Sequence, residues 1–117
     1  MAIIAGTYDF TVQRRSDHSE PFRITDSTDS AVNLTGFTIA AQVWDKERTG
    51  KFADFSVAYT NRTNGEFEIS LTHVQTTQFT PNELSYDVLL LNPSGKREYY
   101  IEGTIFVSEG YTTIWAT

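Results

Sequence analysis

The sequence predicts an all-β, antiparallel sandwich of about seven strands with one short helical turn. Three observations point there. Apolar and polar residues alternate with a period of two, which puts one side of each short segment against a core. Turn-forming residues separate these segments at nearly regular intervals. Eight Phe, six Tyr and two Trp stand beside many threonines and only one Met, a composition suited to pleated, half-buried surfaces.

The first strand is "TYDFTVQRR", with Tyr8, Phe10 and Val12 on one face; the polar stretch from Ser16 to Glu20 then breaks the pattern. "PFRIT" offers Phe22 and Ile24 as a second strand, with Pro21 tolerated at its start. "DSTDSAVNLTG" is a loop in which Val32 and Leu34 dip inward and Gly36 closes the turn. In "FTIAAQVWD", Phe37, Ile39, Ala41 and Val43 share a face, while Trp44 falls on the other parity and either caps a sheet edge or marks a bulge. "ADFSVAYTN" alternates Phe55, Val57 and Tyr59 as one strand. Asn64-Gly65 is the strongest turn dipeptide, and it leads into "EFEISLT", where Phe67, Ile69 and Leu71 point in.

Thr72 and Gln75 have the spacing of a capping box, so about one turn of helix is expected to cross between the sheets there. The longest hairpin follows, turning at Asn92-Pro93-Ser94-Gly95. It is expected to bury Tyr86, Val88 and Leu90 against Tyr99, Ile101 and Ile105, with Gly103 leaving room for a large opposite side chain or permitting a bulge. Tyr86 starts its strand just after a sheet crossing. Its hydroxyl either turns back onto the crossing backbone, as in a tyrosine corner, or the ring is an ordinary core tyrosine.

The 117 residues read as one domain, 1–117, long enough to hold a core without staples, with residues 1–6 and 109–117 as terminal arms. With no cysteine there are no disulfides, thiolate metal sites or cysteine nucleophiles. No segment reaches the length of a membrane span, and "MAIIAG" lacks the basic flank of a signal peptide. Nine basic against fifteen acidic residues give a net charge of −6, which argues against nucleic acid as a partner. The adjacent pairs Arg14-Arg15 and Lys96-Arg97 are expected to lie in solvated turns.

Chemistry finds little foothold. His18 and His73 lack partners at metal-ligand spacing and read as surface residues. The acids at Asp26-Asp29 and Asp45-Glu47 lie in predicted loops without a calcium-loop register. Glu66 and Glu68 point outward from a strand and do not face each other across a cleft as a glycosidase pair would. No nucleophile elbow, phosphate-binding loop or dinucleotide fingerprint occurs. Asn33-Leu34-Thr35 and Asn61-Arg62-Thr63 match the glycosylation pattern, as chance allows in a chain rich in Asn and Thr. The expectation is a protein that is not an enzyme and needs no metal or cofactor.

Binding is then the question. Trp44, Tyr100, Phe106, Tyr111 and Trp115 lie off the core-facing parity, and Ile3, Ile4 and Ile114 add apolar weight to the ends. Such side chains mark an interface, or, with polar neighbours, a platform for sugar rings.

Three stretches carry a resemblance: "YDFTVQRRSDHSEPFRIT", "VNLTGFTIAAQVWDK" and "ISLTHVQTTQFTPNELSYDVLLLNPSGKREYYIEGTIFV". Together they resemble the small immunoglobulin-like domains of phage baseplate upper proteins and tail-fibre attachment proteins. The resemblance implies an immunoglobulin-like sandwich and a structural role in the virion, in the tail or baseplate, through docking to other virion proteins. It implies a homo-oligomer, a trimer or hexamer, made in the host cytoplasm, and supplies no catalytic residues. The positions it maps are structural: Leu34, Thr35 and Gly36 at a strand entry, Tyr86 and Asp87 on the penultimate strand, Gly95 in the turn and Gly103 in the last strand. A capsid decoration protein and a carbohydrate-binding module that contacts the host surface are the alternative roles.

Overall fold

The computed structural model describes residues 6–109. Its strands are β1 (Gly6–Thr7), β2 (Phe10–Gln13), β3 (His18–Arg23), β4 (Thr38–Asp45), β5 (Lys51–Asp54), β6 (Ser56–Asn61), β7 (Glu66–Leu71), β8 (Glu83–Leu91) and β9 (Arg97–Ser108). A 3-10 turn, Arg62–Asn64, joins β6 to β7, and one short helix, α1 (His73–Thr77), joins β7 to β8. The larger sheet runs β1-β9-β8-β4-β5, with β2 also on β9; the smaller runs β3-β7-β6. Strands β3, β6 and β7 thus face β4, β8 and β9, the division of an immunoglobulin-like β-sandwich. All pairings are antiparallel except those of β1 and β2, which run parallel to β9.

The core lies between the sheets. Val12 of β2, Phe67 and Ile69 of β7, Leu84, Tyr86, Val88 and Leu90 of β8, and Ile105 of β9 are all buried there with Ile24, Val32 and Leu34. The strict alternation of β7 and β8 is what the sequence pattern requires. Leu34 is held from both sides: its N–H donates to the Arg62 carbonyl (2.7 Å) and its carbonyl accepts from Arg62 Nη1 (3.0 Å). The Arg62 guanidinium lies 3.6 Å from the centre of the Tyr59 ring. At Gly65, φ is +72° and a Cβ would stand 2.6 Å from the Ile24 carbonyl, so only glycine fits this turn.

The capping box forms as expected. The Thr72 N–H donates to Gln75 Oε1 (2.9 Å) and the Gln75 N–H to Thr72 Oγ1 (3.3 Å). In the hairpin turn, Asn92 Oδ1 accepts from the Ser94 and Lys96 N–H groups and from the Ser94 hydroxyl.

Several expectations need correction. The stretch Ser16 to Glu20 does not end the pairing, because β3 begins at His18 and places Pro21 in its middle. The smaller sheet tolerates this because β3 is an edge strand. "ADFSVAYTN" is two strands rather than one: β5 belongs to the larger sheet and β6 to the smaller, and the chain changes sheets at Phe55. Arg14 and Arg15 are mostly covered, since Arg14 Nε donates to the Phe79 carbonyl (2.7 Å) and both guanidiniums pair with Glu109. His18 is not a surface histidine. It points between the sheets, stacked on Phe10 with ring centres 5.2 Å apart.

Candidate functional site

On the outer face of the larger sheet, the register sets three rows of side chains. Trp44 of β4 stands opposite Ser85 of β8, and Ser85 opposite Thr104 of β9. The next row is Gln42, Asp87 and Glu102, extended by Asp54 of β5. The third is Ala40, Leu89 and Tyr99. Tyr99 reaches this face because the register between β8 and β9 shifts after Val88, so that Tyr100 is the extra residue. The shift reverses two sequence expectations. Tyr99 is 62% exposed instead of buried, while Tyr100 turns inward, packs against the core and donates from its hydroxyl to the Arg23 carbonyl (3.1 Å).

Gln42, Trp44, Arg48, Ser85, Asp87 and Tyr99 line a pocket of about 240 Å³ in this face. Part of its wall is fixed by the protein. Trp44 Nε1 donates to Gln42 Oε1 (3.2 Å), and Gln42 Nε2 donates to Asp54 Oδ1 (2.8 Å). Arg48 comes from the β4–β5 loop, which the Asp45 carboxylate organises by accepting from the Thr49 N–H and hydroxyl, each at 2.6 Å. Those bonds, the hydroxyl's first, hold the Asp45 carboxyl below its ordinary pKa. The Arg48 guanidinium then pairs with Glu102 at 3.4 Å.

Asp87 is different. Its carboxylate has no hydrogen-bond partner among the described residues and lies directly across from Glu102. Burial in the sheet face raises its pKa, with Arg48 acting against that shift and Glu102 adding to it.

A second cluster lies where the N-terminal strand crosses β9. The ladder of β1 and β2 on β9 keeps one register but is interrupted at Tyr8 and Asp9. There the Tyr8 carbonyl leaves the ladder, lies over Gly103 and accepts the Tyr86 hydroxyl. Asp9 Oδ1 takes the vacated place by accepting from the Thr104 N–H (2.8 Å). A Cβ on Gly103 would meet the Tyr8 carbonyl oxygen at 2.0 Å, which is why this position is glycine. Tyr86 therefore makes no tyrosine corner; its hydroxyl reaches the Tyr8 carbonyl between β1 and β2, and burial raises its pKa. Nearby, the Tyr8 hydroxyl donates to Glu20 (3.3 Å), and His18 Nε2 lies 3.3 Å from Glu20.

Of the residues expected at an interface, Trp44 and Phe106 share the outer face of the larger sheet, Phe106 being 43% exposed. Tyr100 does not join them. Ile3, Ile4, Tyr111, Ile114 and Trp115 lie outside the described residues. Leu34, Thr35 and Gly36 form the turn into β4, with the Phe37 N–H on the Leu34 carbonyl (2.9 Å) and Gly36 at φ +83°. Gly95, at φ +89°, closes the hairpin. The roles of Arg48, Asp87 and Tyr99 in the pocket were not legible in the sequence. Asp87 had the outward parity that could have flagged it, and "KERTGK" reads as a charged hairpin loop, but nothing local shows that Arg48 reaches over this face or that a bulge turns Tyr99 outward.

Comparison with protein-family models gives no match, and comparison with curated proteins gives none. Among solved structures, the crystal structure of the Lin-41 filamin domain matches with a TM-score of 0.46 and 17% sequence identity, over 86% of this chain and 84% of that one.

Proposed function

We propose that the chain is a structural protein of a phage virion, a tail, baseplate or fibre-attachment component that works by docking to other virion proteins. The observation that carries this reading is Phe106. It is a large apolar ring on the outward face of β9, beside Glu83 and Thr11, with no core to join. Aromatic side chains set in a polar surround are the composition of a protein interface. The three sequence stretches that resemble phage tail domains supply the setting. The same reading gives Tyr111, Ile114 and Trp115 a role as a C-terminal docking arm.

Light scattering on a sizing column, at several protein concentrations, tests it. A concentration-independent trimer or hexamer is the expected result, reduced to a smaller species by Phe106→Asp or by deletion of residues 110–117. If neither change alters mass or partner binding, the docking surfaces are misassigned. Quantitative mass spectrometry of intact virions separates the tail reading from a capsid decoration protein. A few copies per particle are expected, and hundreds would move the protein to the head.

A further inference from the structure

We propose that the pocket in the outer face of the larger sheet, between Trp44 and Tyr99, binds the neutral pyranose ring of a saccharide. Its size comes first: about 240 Å³ is room for one sugar ring and not for a folded peptide element. Its chemistry comes second. A sugar ring has an apolar C–H face, which aromatic rings cover, and a rim of hydroxyls that both donate and accept.

The pocket offers both. Trp44 Nε1 donates to Gln42 Oε1, a bond that restrains the indole and lowers the conformational freedom lost on binding. Tyr99 stands exposed at the opposite corner. Between them, the Asp87 carboxylate and the Ser85 hydroxyl make no hydrogen bond within the described residues. A carboxylate set into a sheet face without donors is destabilised, and ligand hydroxyls are the donors that would relieve it. Its raised pKa reports the same missing compensation.

An ammonium group is the competing ligand for a carboxylate flanked by aromatic rings. Arg48 disfavours it. The guanidinium lines the same pocket and is tied to Glu102, so a second cation would approach an existing one. Arginine donors opposite carboxylate acceptors suit a neutral polyol better. The inference does not depend on the virion role, because the pocket lies toward the middle of the face and Phe106 toward its end.

The test is a titration of the ¹⁵N-labelled full chain with the methyl glycosides of glucose, galactose, mannose and N-acetylglucosamine, read by NMR. Millimolar affinity is expected for a ligand of this size. At least one glycoside should give saturable shifts at the Trp44 indole N–H and at the Ser85 and Asp87 amides. Asp87→Asn and Tyr99→Ala should each weaken that binding about tenfold. Both residues point away from the core, so thermal unfolding should remain cooperative in each variant and confirm that the fold is retained.

Two results overturn the proposal. One is the absence of any shift at these positions with all four glycosides. The other is saturation by tetramethylammonium while the glycosides leave the spectrum unchanged.

Discussion

At Gly103 one hydrogen atom decides whether the first strand can dock. The Tyr8 carbonyl oxygen occupies the space of a Cβ, and backbone cannot swing aside as the end of a flexible side chain could. Gly103→Ala is therefore expected to cost about 3 kcal/mol, measured by urea unfolding. Hydrogen exchange should locate the damage. Amides of β2 should lose protection while those of β4 and β8 keep it. Equal protection throughout would show that the crossing relaxes without strain.

Charge acts at the same scale. Asp17 is held below its ordinary pKa by the His73 backbone N–H and then by its ring; Asp26 by the Thr28 hydroxyl and then its N–H; Asp54 by Lys51 and then Gln42. Together with Asp45 they bind protons more weakly folded than unfolded. Their contribution is present above the ordinary value of 3.8 and is lost as pH falls through the lower folded values. Thermal melts should show Tm roughly level near neutrality and falling below about pH 4. A Tm that rises on acidification would contradict these bonds.

At the scale of elements, α1 shows how little helix a sandwich needs. Five residues are far too few to be stable alone, so the element exists because its ends are tied. The capping box closes its start. Thr76 is buried and exchanges hydrogen bonds with Ser16, its hydroxyl donating to the carbonyl (2.9 Å) and accepting from the N–H (3.1 Å). Thr72→Ala should lower stability by about 1 kcal/mol in chemical denaturation, and Thr72→Ser should restore most of it. No difference between the two variants would mean that the cap contributes nothing.

The same scale separates what the sequence reveals from what it conceals. The alternation of β7 and β8 and the Thr72–Gln75 spacing are local signals, and all three elements form where expected. Tyr99 and Tyr100 mislead because their directions depend on a break in regularity, while Phe55 is buried as expected and only the continuity of its strand misleads. A change of sheet at Phe55 and one inserted residue at Tyr100 each leave the local pattern looking like a continuous strand. His18 misleads for another reason. It is a polar residue pointing inward, where the Phe10 ring of β2 stacks on it and Glu20, two residues along its own strand, pairs with it.

For the whole molecule, strand order assigns the fold, and the bond between Tyr86 and Tyr8 joins parts of the chain 78 residues apart. Among the described residues β2 pairs only with β9, so the larger sheet lacks its final ladder until nearly all of the described chain is available. Such long-range pairing is formed late and slowly in two-state folding. The pocket and Phe106 both depend on β9, and neither surface exists before that strand is in place.

The parallel direction of the N-terminal strand has a mechanical consequence. β1 enters beside Ile101, part-way along β9, and β2 runs parallel to it as far as Ser108, so the described chain comes in along β9 and goes out at its far end. Tension applied through Gly6 and Glu109 would slide β2 along β9 and load the hydrogen bonds between them simultaneously. A hairpin arrangement would open one bond at a time. In a particle that transmits force along its axis, this sandwich would serve as a stiff link.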